Sequence, residues 1–535
     1  MSIKFQNKNY VLIDDAFIAQ GGQAKVYGFD EDGDDIVLKI YHERKNVLSE
    51  KKFNELKALK SEPGIVSPID YAYESNKKIG YGMPWVKNVI PWAQMLSNGF
   101  WKENNYTTKV ADKTVDSLRK IFITVHNCDN IIAIGDPNEF NFLVDERSYK
   151  AVYAIDVDAW GTTSSKVSAV APGVRDVHSN GFNHGTDWFG WGIITFMLYT
   201  GTSPYRGRHK DFGRNIIERM KANVSMYNKE VKPPPNTRPI GEIPSGLSAW
   251  YEAVFEKGER CAPPEQFGKA KGTIAVQTVL SKKLTITVEK TFPKNIRKIY
   301  GQGLVALEDE LDYISLNGKK YEITLENNVL TICNLRVAAS KYIIVDDAIY
   351  TFFEGKVNKV NLIAMNGNVV AAIGNSWKVL PNSTVLFEGL LLSNILGTPY
   401  LYLPDIDSLH RFKVDELSGY KIANARRIGV VTIIVGYKKG EGYKRFIFNV
   451  NKNFTSYEAY TADVSNTDIN FCMLSSGVYL ILNDQDILEV RHIRKGSTCT
   501  EVKDTGLPNG SQLASMDQKA LIYVNNEVKR IRLNL

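Results

Sequence analysis

An acid and an amide five positions apart, Asp136 and Asn141, stand in the stretch HNCDNIIAIGDPNEFNFLVD, which runs from His126 to Asp145. A second acid, Asp156, follows in YAIDVDAW at 153–160. Apolar, strand-forming runs flank these residues, so both acids should lie at strand ends. Two carboxylates and a carboxamide converging there make a hard, oxygen-rich site of the kind that takes Mg2+ together with phosphates. Turn-forming Asp and Asn residues are the plainer reading of the same letters. Upstream, IVLKIY at 36–41 puts Lys39 in an alternating β-forming run among apolar neighbours. A charge so placed needs a carboxylate or a ligand phosphate as partner. The next helical stretch, 46–60, offers Glu55 on the face of Leu48, Leu56 and Leu59. Earlier still, IAQGGQAKVYGF at 18–29 holds Gly21 and Gly22 in a turn between two β-rich halves. Such a turn lets backbone N–H groups approach phosphate oxygens, although hairpin glycines are common for other reasons.

The elements that must position these residues change along the chain. Strand-like stretches near the start give way to helical patterns at 46–60, 109–128, 186–200 and 216–226. A Pro-rich stretch at 232–244 and one more helix at 246–255 follow. Beyond the CAPPE segment at 261–265, short runs rich in Val, Ile, Tyr and Phe alternate with Gly, Asn and Asp, and no long amphipathic stretch appears. The expected organisation is a first domain over 1–268 and an all-β domain over 269–535.

The ordered set of glycine turn, strand lysine, helix glutamate, D-x-x-x-x-N and I-D-x-D resembles the signature of eukaryotic-type protein kinases. It is closer to divergent bacterial and phage kinases whose loop reads GDxNxxNxLV and whose metal motif reads DVD. SAVAPG at 168–173 is similar to the end of an activation segment, and GTDWFGWGIITFMLYTGTSPY at 185–205 to the buried helix after it. GYGMPWV at 80–86 is similar to the strand and hinge that hold adenine, with Met83 in the gatekeeper place. The resemblance implies an α+β bilobal fold, with an N-lobe over about 1–86 and a C-lobe over about 87–268. It also implies an ATP- and Mg2+-dependent kinase acting on a Ser or Thr hydroxyl; a cytoplasmic location is expected separately, from the cysteine usage and an N-terminus without a signal-like apolar stretch.

In that frame Gly21, Gly22, Ala24, Val26, Met83, Trp85 and Val86 would surround ATP. Lys39 would hold its α- and β-phosphates and pair with Glu55. Asp136 would orient and deprotonate the attacking hydroxyl, and Asn141 and Asp156 would hold Mg2+. Asp187 would accept backbone N–H groups of the catalytic loop, and Arg260 would match the arginine near a kinase C-terminus. The departures are specific. Ala19 and Ala24 replace the outer glycines, and Ile134-Gly135 precede Asp136 where His-Arg is usual. Asn138 stands where a lysine would face the γ-phosphate. Asp158 replaces the glycine of DFG, either to touch a metal or to fix the loop. Gly173 replaces the glutamate that would pair with Arg260, so that ion pair is expected to be missing. Thr162, Thr163, Ser164, Ser165 and Ser168 are candidate autophosphorylation sites or simply a polar loop.

In the second half, strand–turn–strand fragments recur at roughly 40–50 residues, the interval of four-stranded propeller blades. Examples begin at Lys320, Lys341, Gly477 and Lys519. Five to seven blades are expected, with the last strand closing on the first; a pair of β-sandwiches is the alternative. No catalytic constellation stands out there, so this half is read as a docking surface for a protein partner or substrate. The alternatives to a kinase are a pseudokinase scaffold or a structural, virion-type component.

Composition bounds the rest. A chain of 535 residues exceeds one hydrophobic core. A formal charge of +7 without a basic cluster argues against nucleic acid as a partner. The five cysteines show no CxxC pair, which fits a reducing compartment. The longest apolar runs are too short to span a bilayer, so no membrane partner is expected.

Overall fold

The computed structural model describes residues 2–31, 34–167, 170–270, 280–300, 305–316, 319–345, 348–365, 368–405, 408–494, 499–516 and 518–534. A mixed α/β domain, a curled sheet followed by helices as in a kinase-like lobe, precedes an all-β domain. The sheet has seven antiparallel strands: β1 (Ser2–Phe5), β2 (Lys8–Val11), β3 (Phe17–Gln20), β4 (Ala24–Glu31), β5 (Asp34–Tyr41), β6 (Asp70–Glu74) and β7 (Lys77–Pro84). Their order is β2-β1-β6-β7-β5-β4-β3. The β3–β4 hairpin carries the glycine turn, and β5, between β4 and β7, carries Lys39 opposite Val26 and Tyr81.

Helix α1 (Glu50–Lys57) is shorter than the stretch expected from the sequence. Ser49 caps it by accepting the Lys52 amide, so the helix starts at Glu50, and it buries Phe53 and Leu56. Helix α2 (Asn98–Glu103) leads to α3 (Thr108–His126), whose Val115, Leu118, Ile121, Phe122 and Val125 make one buried face. Helix α4 (His184–Thr200) is apolar all round, and every residue from Thr186 to Thr200 is buried. A capping box between Asn183 and Thr186 starts it, and Gly201, at φ +79°, ends it. The stretch expected as one helix over 216–226 is helical only to Lys221, because Asn223 takes a left-handed backbone at φ 53°. Residues Ser245–Glu256 form the last helix. No helix among the described residues is long and apolar enough to cross a membrane.

The first turn of α4 supports the loop before Asp136. The Asp187 carboxylate, fully buried, accepts the amides of Ile134 at 2.9 Å and Gly135 at 2.8 Å, and meets His126 Nε2 at 3.0 Å. Gly135 takes φ +76°, and a Cβ there would lie 2.5 Å from the Val167 side chain. Arg260 is held bidentately by Asp176, at 2.6 and 2.9 Å. The ion pair expected to be missing at Gly173 is therefore made three residues later by Asp176.

In the all-β domain the described strands form seven antiparallel sheets. Sheet A joins Leu284–Thr291 to Gln512–Met516, Lys519–Val524 and Glu527–Leu533. Sheet B is the pair Ile296–Ile299 and Val305–Leu307. Sheets C to G are four-stranded meanders that begin at Asp312, Lys341, Thr384, Lys421 and Phe471. Apolar clusters join C to D, D to E, E to F, F to G, G to A and A to B. Tyr300 and Tyr313, with ring centroids 5.6 Å apart, join B to C.

The two domains meet through several polar contacts. At α2 the Asn98 amide donates to Asp468, Glu103 meets Lys298 at 3.3 Å, and Lys102 lies over the Tyr523 ring. Elsewhere Arg206 pairs with Asp484 at 2.6 Å, and Lys341 with Glu146 at 2.7 Å.

Two outcomes follow from these supports. Asp187→Ala strands two buried amides, at about 1–3 kcal/mol each, and the first unfolding transition should fall by roughly 5–15 °C in calorimetry; an unchanged transition would contradict the assigned role. Deleting residues 527–535 removes the partner of Leu284–Thr291 in sheet A, so the all-β domain should lose its cooperative transition and aggregate.

Candidate functional site

A cleft of about 1770 Å3 opens beneath the β3–β4 turn and is lined by both domains. Gly21, Gly22, Ala24, Val26, Lys39, Met83, Trp85 and Val86 border it from the seven-stranded sheet, and Asp136, Asn138, Asn141, Asp156 and Asp158 from below. Glu55, Asp187 and Arg260 are not among its lining residues. The turn is closed by the Gly21 amide donating to the Ala24 carbonyl at 2.8 Å, and nothing lies within 4 Å of a Cβ placed on Gly22. The space next to the turn is open.

Lys39 is the electrostatic centre of the site. Its Nζ, on β5 and about 6 Å from the ring centres of both Tyr41 and Tyr81, donates to Asp158 at 2.7 and 2.9 Å and to Asp156 at 3.1 Å. Burial alone would push the Lys39 ammonium down, but Asp156 and Asp158 hold it above its ordinary value. Lys39 in turn holds the Asp156 carboxyl well below the usual carboxylate range. Asp158 also accepts the Tyr41 hydroxyl at 2.7 Å, and its carbonyl accepts Lys52 Nζ at 2.7 Å. Asp156 sits at φ 56°, a left-handed backbone that Asp tolerates better than most residues. About a third of its side chain, 36%, remains open.

The expected pairing of Lys39 with Glu55 is corrected by these contacts. Glu55 points instead to the loop after Asp158, accepting the Thr163 hydroxyl at 2.5 Å and the Ser164 hydroxyl. Burial alone would raise the Glu55 carboxyl, but hydroxyl bonds from Ser164, Thr162 and Thr163 hold it below its ordinary value. Asp158 takes the place at Lys39 that Glu55 was expected to fill. Ser168 lies outside the described residues.

In the loop below, Asp136 accepts the Ala171 amide at 2.8 Å, and Asn141 Nδ2 donates to the Asp136 carbonyl at 3.0 Å. That orientation leaves the Asn141 amide oxygen for another partner. Asn138 turns its side-chain oxygen back to the Phe140 amide at 2.9 Å. Residues of the all-β domain complete the cleft, and nothing in the sequence of that half singled them out. Lys421 Nζ stands 3.7 Å from Asp156, and Lys439 Nζ 3.8 Å from Asp136. Phe140 stacks on Tyr437, with centroids 5.3 Å apart, and the Tyr443 hydroxyl donates to Glu139. A separate group, His209, Asp211 and Glu230, brings three potential metal ligands within 4.8 Å of one another. Lys210 already neutralises Glu230 there at 2.7 Å.

No protein-family model matches the chain. Over 314 residues, 52% of its length, the chain is 26% identical to protein kinase YegI of Escherichia coli O157:H7. Over 269 residues, 44% of its length, it is 26% identical to protein kinase YegI of Escherichia coli K12. It spans 47% and 40% of those proteins, about half their length or less. The kinase PK-1 of Cydia pomonella granulovirus superposes with a TM-score of 0.35 at 12% identity, over 46% of this chain and 88% of that one. The chain thus has distant homology to bacterial kinases of this type.

Proposed function

We propose that this protein is an ATP- and Mg2+-dependent phosphotransferase acting on a Ser or Thr hydroxyl. In this reading residues 1–268 are a bilobal kinase domain, divided near residue 86, and 269–535 a β-propeller that presents a protein partner or substrate. The observation that carries it is the meeting of Lys39, Asp136, Asn141 and Asp156 in one cleft beneath an open glycine turn. Met83, Trp85 and Val86 border the same cleft, where adenine would lie. The propeller is supported by the pairing of Leu284–Thr291 with Glu527–Leu533 and by apolar packing from sheet to sheet.

Each residue has a share in the transfer. Lys39 would exchange part of its carboxylate contact for the α- and β-phosphates. Asp136, fixed by the Ala171 amide, would orient the acceptor hydroxyl and take its proton as oxygen attacks the γ-phosphorus. The donors for Mg2+ fit a hard cation, because the Asp156 carboxylate and the spare Asn141 amide oxygen are both oxygen ligands on the cleft. Bound there, Mg2+ would supply charge neutralisation for the phosphates.

A second reading is favoured by one specific observation, the engagement of Glu55 by Thr163 and Ser164 rather than by Lys39. A scaffold that binds nucleotide without turnover would have no need of the Lys39–Glu55 pair.

Transfer of labelled γ-phosphate in the presence of Mg2+ separates the two, with autophosphorylation, a generic protein acceptor and ATP hydrolysis assayed side by side. Asp136→Asn and Asp156→Ala should each lower turnover by about 100-fold or more, whereas a wild type that binds ATP but never turns over would establish the scaffold. The double variant Thr163→Ala/Ser164→Ala removes two of the three hydroxyls that hold Glu55, those that bond it directly at Thr163 and Ser164. Its transfer rate should rise several-fold above the wild type; a rate unchanged or lowered would show that this contact does not restrain the site.

A further inference from the structure

Among the cleft lysines of the first domain, Lys39 and Lys52 are held at Asp158 and Lys87 at Asp30 and Asp35. A transferring phosphoryl group spreads negative charge over three equatorial oxygens, and catalysis depends on neutralising it. Lys39 is shared between Asp156 and Asp158. The loop position two after Asp136 is the neutral Asn138, and its side chain is bonded into its own loop. Apart from Lys39 at Asp156, the cations brought to Asp136 and Asp156 come from the other domain. Lys421 opens the first strand of sheet F (Lys421–Ile428), and Lys439 lies in the turn between Val431–Lys438 and Gly442–Val450. Their ammonium groups stand 3.7 Å from Asp156 and 3.8 Å from Asp136.

The approach of sheet F is built rather than incidental. Tyr437 and Tyr443, on the strands either side of the Lys439 turn, pack against Phe140 of the loop, and Tyr443 donates to the buried Glu139. Lys421 lies over the same Phe140 ring at 5.9 Å. The two lysines themselves are 47% and 54% exposed, so their ion pairs contribute little to stability. A long, exposed lysine stem anchored by a packed aromatic base can move its charge a few ångströms from carboxylate to phosphate.

We propose that Lys421 and Lys439 are part of the phosphoryl-transfer site, so that the site is complete only when the all-β domain is docked. This rests on the kinase reading above. As the acceptor oxygen bonds to the γ-phosphorus, the bond from that phosphorus to the β–γ bridging oxygen breaks. ADP leaves with the electron pair, and the acceptor proton passes to Asp136. The two ammonium groups neutralise the γ-phosphoryl oxygens, in the role that the loop position at Asn138 does not fill.

The test uses the full chain with Lys421→Met, Lys439→Met, the double variant, and Lys439→Arg as the charge-preserving control. Binding of ADP and of a non-hydrolysable ATP analogue is measured by calorimetry with Mg2+, and single-turnover autophosphorylation and ATP hydrolysis are followed alongside. The double variant should bind ADP as the wild type does, lose about tenfold in affinity for the ATP analogue, and slow by about 10–100-fold in transfer. Lys439→Arg should recover most of the loss. An unchanged ratio of ATP-analogue to ADP affinity would overturn the proposal, and so would faster transfer, which would mark the lysines as a block on the site. If the wild type binds neither nucleotide, the kinase reading itself fails and takes this proposal with it. A wild type that binds and transfers, with variants that match it, overturns the lysine assignment alone.

Discussion

A lysine ammonium placed within the seven-stranded sheet, beside two tyrosine rings and with 8% of its surface exposed, must be neutralised or the sheet cannot hold it. Lys39 meets that demand through Asp156 and Asp158, and much of the site follows from it. To reach Lys39 from below, the chain after Tyr153 turns through a left-handed residue at Asp156 and brings Asp158 up two positions later. The loop that carries Asp136 is then suspended between that turn and Asp187, which holds two of its amides from the head of a fully buried helix. The apolar core around α3 and α4 therefore acts on the site by fixing a few backbone amides, more than through any contact with the cleft.

The second constraint is that the cleft has walls from both domains. Phe140 is covered by tyrosines of sheet F, Arg206 and Asp484 form a largely buried ion pair, and α2 meets residues of sheets A and B and the segment before sheet G. Breaking one partner of a buried pair costs far more than an exposed pair contributes, so these contacts favour one docked arrangement. The sheets of the all-β domain are joined to one another by apolar clusters, which gives sheet F a firm base from which to present Lys421 and Lys439.

Much of this was legible where the signal was local. The helical pattern at 186–200 marks a helix that the structure starts two residues earlier, at His184, and buries from Thr186 onward. Gly135 before Asp136 and the strand–acid–strand spacing draw attention to a loop that the structure places on the cleft. Pairings across the chain were less legible. Glu55 lies on the face of α1 that buries Phe53 and Leu56, yet its partner depends on the path of the loop at 159–165, which carries no strong pattern. Asp176 could not be matched to Arg260 by motif, because it stands three residues beyond the expected glutamate. Lys421 and Lys439 carry no motif at all. Their place near the carboxylates is set by how sheet F docks, a relation between residues about 265 and 303 positions apart. Helix ends were likewise decided by single residues, Ser49 at one and Asn223 at another, within stretches whose overall pattern was helical.

The central claim is that nucleotide binds in a cleft to which both domains contribute. Hydrogen–deuterium exchange of the full chain, with and without a non-hydrolysable ATP analogue and Mg2+, reads this directly. The account predicts slowed exchange at 18–26, 83–86 and 136–141 together with 436–441 in the turn of sheet F, in one saturable transition. Protection confined to the first domain would contradict the shared site, and no protection at any of these segments would contradict the cleft as a nucleotide site.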